Sequence, residues 1–153
     1  MLRNKIVFTM LAVVFAAGGL GEAVAADGAP AASSRAAEQV RQKVVIQVSD
    51  GDPRTWNQAL NVIKNIQEAY GKDKVDVELV VFGNGIGMLK MDSEVGNRIS
   101  DTMESGAKVL ACENTMRGRK LVKEDMLASI GYVPAGVVEI ITRQKQGWAV
   151  IRP

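Results

Sequence analysis

The sequence predicts an α/β fold in which a mainly parallel sheet is covered by helices on both faces. Runs of β-branched residues alternate with amphipathic segments from Lys43 onwards, and the connections are long enough for helical crossovers between parallel strands. The second run is apolar on both faces from Leu79 to Phe82, which is typical of a strand between two helix layers. We therefore expect a three-layer α/β/α architecture.

The start of the chain predicts a secretory signal peptide over residues 1–25. A cationic start is followed by an apolar run from Ile6 to Leu20, and Ala23 to Ala25 offers small residues for cleavage. A membrane-spanning helix needs roughly 20 apolar residues, and Glu22 and the glycines before it interrupt this run too early. We expect cleavage after Ala25, no stable membrane anchor afterwards, and a periplasmic or secreted protein.

Residues 26–42 are predicted to be a flexible linker, because they are small and polar and lack the apolar side chains that offset the entropy of ordering. The folded domain is predicted over residues 43–153. Its first strand is the β-branched run from Val44 to Val48, which the turn residues Ser49 to Gly51 end.

The clearest helix of the chain follows this strand. Asp52 is a typical helix-capping residue, and Pro53 stands in the first turn, where its missing N–H does no harm. An amphipathic helix is predicted from there to Gly71, with its apolar stripe on the sheet. The stripe consists of residues that recur at steps of three and four: Trp56, Ala59, Leu60, Ile63, Ile66 and Tyr70.

The middle of the domain is predicted to continue as strand, helix and strand. Val75 to Phe82 forms the second strand, and the glycine-rich segment Gly83 to Gly87 ends it. Asp92 or Ser93 is predicted to cap the next helix, and Ala107 to Cys112 forms the third strand. The inward side chains of that helix share a helical spacing: Val95, Ile99, Thr102 and Met103.

The last third of the domain carries conflicting signals. Met116 to Gly131 predicts one or two short helices. Val137 to Thr142 has strong strand propensity, yet Arg143 and Lys145 directly behind it are typical of a helix C-terminus. Because a crossover is needed before the final strand, Trp148 to Ile151, we predict a helix here.

Composition excludes several function classes. The chain has no histidine and one cysteine, which excludes Ser-His and Cys-His nucleophile pairs, histidine-ligated metal sites and internal disulfides. With 19 Lys and Arg against 17 Asp and Glu, the net charge of +2 is too small for the basic stripe of a nucleic-acid binder. We expect neither a nucleic-acid partner nor a bound cofactor.

One strand end carries a nucleophile. Ligands of open parallel sheets bind at the carboxyl ends of the strands, and Cys112 ends the third predicted strand just before a predicted helix, where free N–H groups favour a thiolate. Asn114 and Thr115 would supply such N–H groups, and Arg117 would be the nearest fixed cation. The alternative is a buried strand-end cysteine that packs as a small apolar residue.

A second loop at this edge is rich in glycine. Backbone N–H groups of Gly83, Asn84 and Gly85 have the capacity to bind an anion. The loop has neither the spacing of a dinucleotide fingerprint nor a Lys-Ser/Thr ending, so nucleotide binding is not favoured. Close packing of a turn explains the glycines equally well.

The same segments resemble the DsrE/DsrF-like family. The resemblance is carried by Cys112 to Gly118 (CENTMRG), by Phe82 to Gly85 (FGNG) and by the ending Gln146 to Pro153, and it covers most of residues 43–153. It implies a five-stranded parallel sheet in a compact α/β/α fold and homo-oligomers of three or six subunits. In the sulfur-relay members, the cysteine that corresponds to Cys112 carries a persulfide between partner proteins.

Together these observations predict an exported protein that handles sulfur through Cys112 as a sulfur carrier or sulfurtransferase. Its expected partners are sulfur donor and acceptor proteins or small sulfur species. Two alternatives stay open. One is a non-catalytic, homo-oligomeric binding module. The other is Cu(I) binding by soft ligands, which would be Met88, Met91, Met116, Met126 and Cys112.

Overall fold

The computed structural model describes residues 41–153, so the predicted signal peptide and all but the end of the predicted linker lie outside the described residues. These residues form one sheet whose strands are all parallel and lie in the order β4-β3-β2-β1-β5. The strands are β1 (Gln42–Val48), β2 (Val75–Val81), β3 (Lys108–Cys112), β4 (Gly131–Val133) and β5 (Ala149–Ile151). The first strand thus begins one residue before the predicted domain start.

Helices cover both faces of the sheet, as predicted. On one face lie α1 (Pro53–Tyr70) and α2 (Gly96–Glu104), whose apolar side chains form the larger part of the core. On the other face lies α4 (Gly136–Lys145), where Ile140 packs with Val45 and Val80 in a small cluster. The short helix α3 (Glu113–Gly118) directly follows β3. The α/β/α prediction is confirmed.

The central strand β2 is buried on both faces. Leu79, Val80 and Val81 are completely buried, and Glu78 beside them is buried as well. Alternate side chains of a strand point to opposite faces, so the apolar run serves both helix layers. This confirms the interpretation of the doubly apolar stretch.

Helix α1 begins and ends where its capping residues predict. The Asp52 carboxylate accepts a hydrogen bond from the Arg54 N–H at 2.9 Å, and Pro53 is the first helical residue. Gly71 ends the helix with φ of 90°, a conformation that favours glycine. A side-chain cap of this kind stabilises a helix by about 1 kcal/mol.

The start of α2 differs from the prediction. Val95 stands at the capping position, and neither Asp92 nor Ser93 caps the helix with its side chain. The Ser93 hydroxyl instead accepts a long hydrogen bond of 3.4 Å from the Val95 N–H, within the turn that precedes the helix.

The strand β4 was not predicted from the residue pattern. The segment predicted as short helices, Met116 to Gly131, holds only the end of α3 and a 3₁₀ turn at Lys123–Asp125, and its last residue begins β4, which pairs with the end of β3. A three-residue edge strand is too short to show an alternating pattern. A Cβ atom on Gly131 would lie 2.5 Å from Leu110 Cδ2, so a larger residue there would require the Leu110 side chain to shift.

Helix α4 forms despite its strand propensity, because of where the chain must go. After β4 at one edge of the sheet, the chain pairs β5 with β1 at the opposite edge. A helix that crosses β3, β2 and β1 provides this connection and covers the face beneath it. No helix within residues 41–153 has both the length and the apolar character to cross a membrane.

Candidate functional site

The candidate site lies at the carboxyl ends of β2 and β3. Cys112 is the last residue of β3, and α3 begins at the next residue. The loop after β2 contacts the same point, because the Gly83 N–H donates a hydrogen bond of 3.0 Å to Thr115 Oγ1. The fold therefore brings together the two segments that the sequence singled out.

Hydrogen-bond donors surround the sulfur of Cys112. The Gly136 N–H, the first of α4, donates to Sγ at 3.2 Å. The Thr115 hydroxyl and the backbone N–H groups of Thr115 and Asn114 also favour the charged form of the sulfur. Burial opposes ionisation and is the largest single influence, but these hydrogen bonds outweigh it together and lower the pKa of the Cys112 thiol below its ordinary value.

The hydroxyl group of Thr115 links the loop after β2 to the end of β3. Its hydroxyl oxygen accepts from Gly83, so its own O–H is free to donate to the sulfur. The Asn114 N–H is shared, since it also donates to the Pro134 carbonyl at 3.1 Å. Its influence on the thiol is accordingly the smallest of the four donors.

Gly136 brings the start of α4 to the sulfur. A Cβ atom at this position would lie 3.3 Å from the Cβ atoms of Cys112 and Phe82, and 3.2 Å from Val80 Cγ1. These separations are shorter than ordinary van der Waals contact, so a larger residue would push the helix away. Sequence reasoning missed Gly136; the signal available was a glycine directly before the apolar run that forms α4.

The thiol is nearly buried within this chain. Cys112 is 5% exposed, and by alternation along β3 its side chain shares a face with Leu110, beneath α4. Its burial agrees with the interpretation of Cys112 as a packed apolar residue. The N–H and O–H groups around it agree with the interpretation of Cys112 as a reactive thiol.

The predicted cation Arg117 does not contact the sulfur. Its guanidinium donates to Asn114 Oδ1, while the guanidinium of Arg119 donates to Asn84 Oδ1 in the glycine loop. The donors at the sulfur are neutral groups, so the thiolate is favoured by hydrogen bonds and not by a contacting cation.

The glycine loop is built for close packing. Gly83 has φ of 56°, in the left-handed region, and a Cβ atom on Gly85 would lie 2.7 Å from the Val48 carbonyl oxygen. The N–H groups of both glycines already donate within the protein, to Thr115 and to Phe82. Two of the donors expected to cradle an anion are therefore occupied.

The placement of the methionines does not support the Cu(I) alternative. Met88, Met116 and Met126 are buried in the core on the α1 and α2 side, whereas Cys112 faces α4 across the sheet, and Met91 is 68% exposed. A soft-metal site needs its ligands within one coordination sphere. Among residues 41–153 there is also no cluster of three carboxylate or thiol ligands.

Comparison with solved structures finds the same fold. A protein of unknown function from Methanobacterium thermoautotrophicum matches with a TM-score of 0.70 at 29% identity, over 73% of this chain and 99% of that chain. The ychN protein from E. coli matches with a TM-score of 0.60 at 11% identity, over 74% and 99% of the two chains. A conserved protein of unknown function from Bacteroides thetaiotaomicron matches with a TM-score of 0.57 at 16% identity, over 73% and 95%. The last two likenesses show the fold alone.

Family comparison identifies the chain more closely. No curated protein matches it. The model of the DsrE/DsrF-like family matches residues 42–153, which is the whole of the sheet with its helices. The matched region includes the Cys112 site and both loops that form it. The chain therefore belongs to the DsrE/DsrF-like family.

Proposed function

We propose that this protein is a sulfur carrier in which Cys112 holds sulfane sulfur as a persulfide. The observation that carries the proposal is the set of neutral donors around the sulfur, from Gly136, Thr115 and Asn114. These groups favour a charged sulfur at the end of β3 without a metal or a histidine. The thiolate is the nucleophilic form of a cysteine.

The transfer step needs no oxidant. The Cys112 thiolate attacks the outer sulfur of a donor persulfide, R–S–SH, and forms a new S–S bond. The S–S bond of the donor breaks, and its electron pair leaves with the donor thiolate, R–S⁻. An acceptor thiolate then attacks the outer sulfur on Cys112 in the same way and regenerates the Cys112 thiolate.

Persulfide formation also changes access to the site. The thiol is nearly buried, but the outer sulfur of a persulfide lies one S–S bond further out, about 2 Å. The inner sulfur would keep the hydrogen bond from Gly136, while the outer sulfur is presented to an acceptor. This arrangement suits a carrier that protects its attachment point.

The partners that follow from this chemistry are sulfur donor and acceptor proteins or small sulfur species. A homotrimer or homohexamer is part of the proposal, supported by apolar side chains that α4 leaves exposed: Val137, Val138 and Ile141. Export to the periplasm or beyond is also part of it, on the strength of residues 1–25.

A non-catalytic binding module is the second candidate. The near burial of Cys112 favours it, because a packed cysteine needs no reactivity to be retained. In that case the family fold would serve assembly alone.

Intact mass spectrometry separates the two candidates. The purified protein is incubated with inorganic polysulfide, and the carrier gains about 32 Da for each sulfur atom bound, a gain that dithiothreitol reverses. Because the chain has one cysteine, Cys112→Ser must abolish the gain. A thiol that iodoacetamide alkylates but polysulfide leaves unchanged would overturn the carrier and favour the binding module.

A further inference from the structure

Two arginines are held beside the thiol site by amide side chains. Arg117 lies in α3 and donates to Asn114, which stands two residues after Cys112. Arg119 follows α3 and donates to Asn84, the neighbour of the glycine that holds Thr115. Asn114 directly precedes Thr115, and Asn84 directly follows Gly83, so each guanidinium is bound to a neighbour of a site residue.

The charge of these two arginines is not compensated. Within the described part of the chain, Arg41, Arg54 and Arg143 each pair with a carboxylate, whereas neither Arg117 nor Arg119 forms an ion pair. An asparagine oxygen orients a guanidinium but does not neutralise it. Between residues 114 and 122, the stretch that holds both arginines, the charged residues are Arg117, Arg119 and Lys120, whereas Lys123 is followed directly by Glu124 and Asp125.

The arginines have no part in ionising the thiol. Its pKa is lowered by hydrogen bonds from the Thr115 hydroxyl and from the N–H groups of Gly136, Thr115 and Asn114. The two guanidiniums are exposed and bonded elsewhere. Their charge and their remaining N–H donors are therefore available to an anion from solvent.

We propose that Arg117 and Arg119 form an anion-recognition pair that selects small anionic sulfur donors for Cys112. This inference rests on the proposed function of the thiol and names its substrate class. A guanidinium held by one hydrogen bond keeps further N–H donors for an anion, in the planar arrangement that suits bidentate binding.

The chemistry explains why such a pair is useful. With inorganic polysulfide, the Cys112 thiolate attacks a terminal sulfur and forms Cys–S–S⁻. The broken S–S bond leaves its electron pair on a polysulfide dianion that is one sulfur shorter. A negative nucleophile meets a doubly negative donor in this step, so fixed cations beside the thiolate reduce the repulsion between them.

Two alkylating agents of similar size test the pair. Iodoacetate is an anion and iodoacetamide is neutral, and both react with the single cysteine, so intact mass gives the two rate constants. In the double variant Arg117→Gln/Arg119→Gln we expect the ratio of the iodoacetate to the iodoacetamide rate constant to fall. The expected fall is about threefold for each charge removed, as for a Coulomb interaction across about 6 Å of water.

The matched control is Arg98→Gln. Arg98 is likewise held by asparagines, Asn57 and Asn61, but it lies in α2 on the opposite face of the sheet. Its substitution should leave the ratio unchanged.

In the unmodified protein, sulfate should slow the reaction with iodoacetate more than chloride does at equal ionic strength, and this difference should disappear in the double variant.

An unchanged ratio in the double variant would overturn the inference. So would a parallel fall in the iodoacetamide rate with a raised thiol pKa, because the arginines would then act on ionisation and not on the incoming anion. Alkylation does not depend on persulfide chemistry. If the alkylation ratio depends on the arginines but polysulfide does not load Cys112, the carrier function is rejected and the anion-recognition pair is not.

Discussion

At the scale of single residues, the site depends on where small groups allow close approach. Gly136 allows the first N–H of α4 to reach Cys112 Sγ at 3.2 Å. Thr115 Oγ1 accepts a hydrogen bond from the Gly83 N–H, which leaves the hydroxyl proton of Thr115 free to be donated. Neither residue is reactive, yet both lower the pKa of the Cys112 thiol.

Gly136→Ala should raise the thiol pKa. The added Cβ would press on the Cβ atoms of Cys112 and Phe82 at 3.3 Å and displace the N–H donor. Loss of one hydrogen bond to a charged group is worth about 1.5 kcal/mol, which corresponds to about one pKa unit. The pH dependence of the iodoacetamide rate measures this.

The control for this substitution is Gly118→Ala, at a helical glycine with open space around its Cβ position. It should leave the pKa of the thiol unchanged. An unshifted pKa in Gly136→Ala would show that the α4 N–H does not hold the thiolate.

At the scale of elements, α4 packs on the sheet through a small apolar cluster and an ion pair. Ile140 is its buried apolar anchor, and Arg143 lies 2.9 Å from the carboxylate of Glu78 and 2.8 Å from that of Glu139. Glu78 is 0% exposed, and its Oε2 has this charge partner without a hydrogen bond of good geometry. Burial is the main influence on Glu78 and raises the pKa of its carboxyl, although Arg143 opposes the rise.

The raised pKa gives a definite sign for stability. The folded protein binds the Glu78 proton more tightly than the unfolded chain does, so this carboxyl stabilises the fold least once it is ionised. Its contribution to the free energy of unfolding is therefore lost as pH rises from the ordinary carboxyl range through the raised pKa.

Glu78→Gln should stabilise the protein at neutral pH. The amide keeps the shape of the side chain but carries no charge to desolvate, and Arg143 keeps Glu139 as its partner. We expect the free energy of unfolding, measured by chemical denaturation, to rise by about 1 kcal/mol at neutral pH. This increase should become smaller at pH values below the ordinary pKa of a carboxyl. A variant that is less stable at neutral pH would contradict this. Glu104→Gln, an exposed carboxylate of α2, is the control.

At the scale of the whole molecule, the two faces of the sheet are unequal. One face carries the larger core with α1 and α2, while the other carries α4 and a small apolar cluster. Val138 of α4 is 61% exposed, and Val137 and Ile141 are exposed beside it. Contiguous apolar side chains of this kind are typical of a surface that another subunit covers.

Val138→Glu should reduce the oligomer to smaller species in light scattering, because a charge would then be desolvated in the interface. For the protein without this substitution we expect an oligomer of three or six subunits. Val122→Glu is the matched control, since Val122 is similarly exposed but lies outside α4. A monomer in all three proteins would show that the exposed face of α4 serves another purpose.

The layers and most elements were predictable because their signals are local. The caps of α1 and the doubly apolar end of β2 are encoded within a few neighbouring residues. The contact of Gly136 with Cys112 joins residues 24 positions apart, and β4 is defined by its partner strand and not by its own three residues. Likewise, the sequence placed Arg117 near the thiol, but only the fold shows that Asn114 binds its guanidinium.

The solitary cysteine has one last consequence for a carrier of this design. A protein with two nearby thiols discharges its cargo internally, by closing a disulfide and releasing hydrosulfide. Cys112 has no second thiol in its own chain, so a loaded molecule has no such internal route. Unloading then waits for an outside thiol, and the lifetime of the loaded form is set by how often that thiol arrives.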